Sequence, residues 1–83
     1  MTELWFVYLI RTQRDTLYCG ITKCVKRRLR QHESGKGAKC LRGRGPLEVV
    51  YLESMIGRGP ALRREAAIKR MSKADKETMI HGK

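Results

Sequence analysis

No apolar run in this sequence is long enough to cross a bilayer: the longest, Leu4 to Ile10, falls well short of the ~20 residues a membrane helix needs. It follows an acidic Glu3 and precedes no small-residue cleavage site, so neither an anchor nor an export signal is expected, and a cytoplasmic location is. Cysteines are few and odd in number. Cys19, Cys24 and Cys40 form no CxxC pair, which favours reduced thiols over a disulfide framework and leaves a zinc site on Cys19, Cys24 and His32 as the minor alternative. Repeats, linkers and low-complexity tracts are missing, so residues 1–83 are expected to form one domain. Acidic residues are scarce as well: eight Asp and Glu against 19 Lys and Arg leave a formal charge of +11. Such a surface seeks polyanions, above all nucleic acid, although charge alone would suit a ribosomal protein equally.

What is present reads as a small α/β chain. Leu4 to Ile10 is apolar at every position, as in a central strand buried on both faces. Arg11 to Thr16 is a polar connection and Leu17 to Ile21 a second strand, so a hairpin is the simplest pairing, with Gly20 at its end where backbone approaches something closely. Lys23 to Glu33 turns helical, with Thr22 as N-cap and Gly35 as stop. Ser34 to Gly45 is a glycine-rich basic loop, and Leu47 to Glu53 a third strand. After Gly57-Arg58-Gly59, Pro60 sits in the first turn of a helix that runs to about Met71, and Ser72 with Asp75 resembles a capping box for a last helix ended by Gly82. The order β-β-α-β-α-α implies a three-stranded, mainly antiparallel sheet flanked by three helices.

Several polar residues fall where apolar ones are expected. On the first helix Val25 and Leu29 mark the buried stripe, while Lys23, Lys26, Arg27 and Arg30 lie away from it. Arg28 and His32, four residues apart, flank that stripe and lean towards the sheet, a costly place for a cation unless an anion meets it. On the next helix Glu65 falls within the stripe set by Ala61, Leu62 and Ile68. The structural explanation is an internal Arg28 to Glu65 ion pair; the functional one is a site. Tyr8 and Tyr18, one on each hairpin arm, are expected to reach the same concave side as Arg28, His32 and Glu65. Phosphodiester hydrolysis asks for such a set: a base for water, a cation for the phosphate, and a hard carboxylate for a divalent ion.

These residues carry a likeness. Phe6-Val7-Tyr8, then Tyr18-Cys19-Gly20, then Arg28 with His32 one turn later, and Glu65 within LRREAAIKR together resemble the GIY-YIG nuclease superfamily, most closely its small stand-alone bacterial branch. The likeness also takes in KGAK and RGRGP ahead of the third strand, and it covers nearly the whole chain. It departs at Phe6 in place of glycine, at Cys19 in place of an aliphatic residue, and at Leu41, where close relatives often have threonine.

The resemblance implies a metal-dependent endonuclease. A tyrosine, Tyr8 by preference, would deprotonate water while Tyr18 orients water or phosphate. Arg28 would bind the scissile phosphate with His32 beside it, and Glu65 would hold one Mg²⁺ or Mn²⁺. Gly20, Lys23, Lys26, Arg27, Lys36, Lys39, Arg42, Arg44 and Lys69 are the candidate nucleic-acid contacts, a general polyanion surface rather than readers of bases. DNA is preferred to RNA as partner, and a monomer is expected. With no appended zinc finger or helix-turn-helix, selectivity is expected to come from DNA shape or from a protein partner. The alternative is a non-catalytic nucleic-acid-binding module in a repair or RNA-processing complex.

Overall fold

A computed structural model of the chain describes residues 3–38, 41 and 46–82. In order they form β1 (Leu4–Arg11), β2 (Leu17–Thr22), α1 (Val25–Glu33), β3 (Glu48–Ile56), α2 (Arg58–Lys69) and α3 (Lys73–Ile80). The strands make one sheet in the order β2-β1-β3, antiparallel throughout. This is the α+β architecture the sequence implies. The uninterrupted apolar run of β1 occupies the centre, where Val7, Leu9 and Ile10 are wholly buried.

Side chains alternate across β1 and so divide the core in two. Val7 and Leu9 pack with Cys19 of β2 and with Ala61 and Ile68 of α2, while Met79 and Ile80 of α3 close the same layer. Tyr8 and Ile10 pack on the other face with Leu41 and Leu47, beside Tyr18, Leu29 of α1 and Val49. A register shift between Leu9 and Ile10 places Leu9 opposite Tyr51 and Ile10 opposite Val49, which lets β3 serve both layers. Helix α1 therefore covers one face, and α2 and α3 cover the other.

The hairpin turn is held by Thr12 N–H to the Thr16 carbonyl and Asp15 N–H to the Thr12 carbonyl, both 2.9 Å, with Asp15 left-handed at φ 64°. Asp15 also anchors α3. Arg11 donates to both oxygens of Glu77 at 2.7 Å and to Asp15 at 2.6 Å, and Lys73 reaches the Asp15 carboxylate at 3.0 Å. A second clamp, Arg64 Nε to Glu53 at 2.7 Å, joins α2 to β3.

Element ends differ from expectation by one to three residues; α2, for one, stops at Lys69 short of Met71. Helix α1 starts at Val25 behind Cys24, because the Thr22 hydroxyl accepts the Cys24 N–H at 3.2 Å in a local turn instead of capping the helix. Strand β3 extends to Ile56, whose exposed side chain gave no burial signal. The Ser72 hydroxyl caps α3 by accepting the Asp75 N–H at 3.1 Å, as its spacing requires. Of the basic loop, Lys36 is exposed, whereas Lys39, Arg42 and Arg44 lie outside the described residues.

Candidate active site

The hairpin register sets Tyr8 directly opposite Gly20. A side chain at Gly20 would place its Cβ 2.6 Å from the Tyr8 hydroxyl and 2.8 Å from Cζ, so the ring lies across bare backbone. Tyr18, two residues before Gly20 and on the same face, brings its ring centroid to 6.4 Å from that of Tyr8. The imidazole of His32 completes a three-ring cluster, edge-on to Tyr18 at 5.4 Å and tilted to Tyr8 at 6.1 Å.

His32 is 1% exposed, and both of its nitrogens are engaged. Nδ1 accepts the backbone N–H of Ala38 at 3.1 Å, and Nε2 lies 3.0 Å from the Tyr8 hydroxyl. A backbone amide can only donate, so Nδ1 carries no proton and the neutral ring must carry its proton on Nε2. His32 therefore donates to the Tyr8 oxygen. Burial, with the Arg28 guanidinium adding, holds the His32 pKa below its ordinary value and keeps the ring neutral. Gly37 secures the arrangement: a Cβ there would collide with His32 Nδ1.

Arg28, one turn before His32, is half-buried, and its Nη1 donates to Gln31 at 2.9 Å. Its guanidinium lies close enough to the Tyr8 hydroxyl to favour the phenolate. Burial outweighs it, however, and with the neighbouring Tyr18 and Cys19 pushes the Tyr8 pKa up to about 12. Tyr8 is 2% exposed, whereas Tyr18 is half-buried and nearer the surface.

The structure thus gathers Tyr8, Tyr18, Gly20, Arg28 and His32 on the α1 face. Glu65 approaches from the other side of β2. It belongs to α2, between Ala61 and Ile68, and meets Lys69 at 3.3 Å; among charges it is the strongest influence on Cys19, whose thiol burial and Glu65 push up to about 11. Of the five residues expected on one concave side, four therefore meet on the α1 face, and the fifth, Glu65, is carried by the helix that packs on the Cys19 face. The structural Arg28 to Glu65 pair is replaced by Arg28 to Gln31 and Glu65 to Lys69. The zinc alternative is likewise divided, with Cys19 on the α2 face and His32 on the α1 face.

Among the described residues no three His, Cys, Asp or Glu side chains are grouped to hold an ion. One hard carboxylate, Glu65, still fits the way magnesium binds, with one or two protein oxygens and the remaining places filled by water and substrate phosphate. Lys23, Lys26, Arg27, Lys36 and Lys69 are exposed, as phosphate contacts require.

Sequence reasoning overlooked Gly37 and Ala38 as the clamp on His32, although both fall within the KGAK stretch. It also passed over a concavity of about 520 Å³ beside Arg28, lined by Trp5, Ile21, Lys23, Arg27 and Gln31 among others.

Comparison with known proteins places the chain in a family. The model of the GIY-YIG catalytic domain matches residues 4–78. A UPF0213 protein of Vibrio cholerae is 52% identical over 79 residues, covering 94% of this chain and 78% of that protein. The UPF0213 protein YhbQ of Escherichia coli is 50% identical over 76 residues, covering 92% of this chain and 76% of that one. The solution NMR structure of a UPF0213 protein from Bacillus halodurans superposes with a TM-score of 0.61 at 36% identity, over 94% of this chain and 83% of that one.

Proposed function

We propose that this chain, which belongs to the GIY-YIG catalytic domain family, hydrolyses phosphodiester bonds in DNA and selects its substrate by structure more than by sequence. The observation that carries the reading is the fixed chain of hydrogen bonds from Ala38 N–H through His32 to the Tyr8 hydroxyl, with Arg28 alongside. A histidine whose tautomer is set by backbone cannot take up a proton at Nε2, so it acts as a donor that orients Tyr8. Tyr8, with its pKa about 12, stays protonated near neutrality, and its own O–H is left to donate to a phosphoryl oxygen.

This division of labour moves the base role from Tyr8, where the resemblance first placed it, to the more accessible Tyr18. Arg28 holds the scissile phosphate and balances charge developing on it. Glu65 would hold a divalent ion, Mg²⁺ or Mn²⁺, on the far side of β2. When bound, such an ion supplies positive charge to the phosphate oxygens.

The test is cleavage of branched, nicked and single-stranded DNA with Mg²⁺ or Mn²⁺. Arg28→Ala and Tyr18→Phe should each lower kcat by roughly 10²–10³-fold, the usual loss of a transition-state donor or a proton acceptor. Activity that survives both Arg28→Ala and Glu65→Gln would reject the site. The placement of Glu65 across β2 favours one second reading, a binding module without turnover. It would bind the same DNAs with no dependence on metal or on Glu65.

A further inference from the structure

The concavity at the junction of β2 and α1 has a chemical character that the hydrolytic site does not use. Trp5 forms part of its wall, with Lys23 Nζ 5.5 Å and the Arg58 guanidinium 5.9 Å from the ring centroid. The Trp5 indole N–H is buried and has no hydrogen-bond partner among the described residues. Glu3, whose carboxyl is held low first by Lys23, is also lowered by that N–H, which makes it the nearest acceptor.

Three cations, Lys23, Arg27 and Arg28, share the rest of the wall with polar and apolar side chains. Lys23 pairs with exposed Glu3 at 2.6 Å, a surface pair that an incoming phosphate can displace. Arg27 lines the same concavity, and α1 begins here with no side chain capping its first amides. The volume of about 520 Å³ suits a small organic ligand rather than a bare ion. Arg28 belongs both to this wall and to the surroundings of the Tyr8 hydroxyl, so an occupant sits next to the scissile position.

We infer that the concavity takes one unpaired nucleotide of the substrate strand, with its base stacked on Trp5 and its phosphate on Lys23 and Arg27. The inference rests on the nucleic-acid reading above and narrows it: cleavage falls beside a nucleotide that has left the duplex. The flexible Lys23 and Arg58 side chains give way to the base, as cations over an aromatic ring commonly do when a flat ring replaces them.

Trp5 is the single tryptophan of the chain, so its emission reports this wall alone. The full chain, without divalent metal and at fixed salt, is titrated with a thymidine dodecamer, an abasic dodecamer of equal charge, a blunt duplex and thymidine monophosphate. The thymidine dodecamer should quench Trp5 and bind about tenfold more tightly than the abasic strand, the ordinary worth of one stacked base. It should also exceed both the duplex and the monophosphate. Trp5→Phe, followed by anisotropy of a labelled strand, should keep most of the base preference, and Trp5→Leu should abolish it. Equal binding of the abasic strand, or unchanged emission at saturation, overturns the inference. Monophosphate binding as tight as the dodecamer overturns it too, marking a site for free nucleotide. Metal-dependent cleavage with Trp5 emission unmoved would sink the nucleotide site while leaving the hydrolase standing, and quenching without cleavage would do the reverse.

Discussion

Two glycines shape the site by what they omit. Gly20 leaves room for the Tyr8 ring and Gly37 for the His32 ring. In Gly20→Ala the new methyl has no free volume, because Tyr8 is buried and its hydroxyl is held by His32. The variant should lose about 1–3 kcal/mol of stability in urea denaturation, the cost of overpacking, together with most cleavage activity. His32 makes stability depend on pH. Its folded pKa lies below the ordinary 6.5, so between these two values the unfolded chain binds more protons and stability rises with pH. The contribution is complete above about 6.5 and is lost as pH falls through the folded value. Denaturation midpoints measured from pH 7.5 down to 4.5 should show this decline, and His32→Gln should flatten it. The i, i+4 spacing of Arg28 and His32 was legible because helical geometry fixes which neighbours share a face. The Gly37-Ala38 clamp was not, since a loop glycine carries no periodicity and its partner is set by the tertiary fold.

At the level of elements, sequence pattern carried the order of strands and helices, the centrality of β1 and the Ser72 cap. It did not carry the side of the sheet on which α2 lies. Helical periodicity says which flank of a helix is buried and is silent on which face of the sheet buries it. For that reason the sequence placed Glu65 beside Ala61 and Ile68 without showing that this helix packs on the Cys19 face of the sheet. Short α3 depends on polar ties as well as apolar contact: Arg11 bridges the hairpin to Glu77, and Lys73 reaches Asp15. Glu77→Ala should selectively speed amide exchange in α3 while β1 stays protected. Because the tie is ionic, raising salt should narrow the difference between the variant and the parent chain. Uniform loss of protection across the sheet would show instead that α3 and the core open together.

At the scale of the whole molecule, the +11 charge predicts steep dependence of DNA binding on salt. Lys26 and Lys36 are exposed, and neither joins the three-ring cluster. Replacing either by alanine should weaken binding to all sequences alike and reduce the slope of log K against log salt by up to about 1, with turnover of the bound complex unchanged. The charge was readable from composition; its relation to the site needed the fold, because α1 carries basic residues on its outer side and Arg28 and His32 on its inner one. On the hydrolytic reading proposed above, the position of β2 has a further result for the shape of the substrate. It stands as a narrow wall, about 5 Å wide by ordinary strand spacing, with the phenols on one side and the acid on the other. A polymer that touches both must turn sharply over that wall. Intact double helix, stiff over about 150 base pairs, resists so tight a corner. A flap, gap or junction has the corner already made.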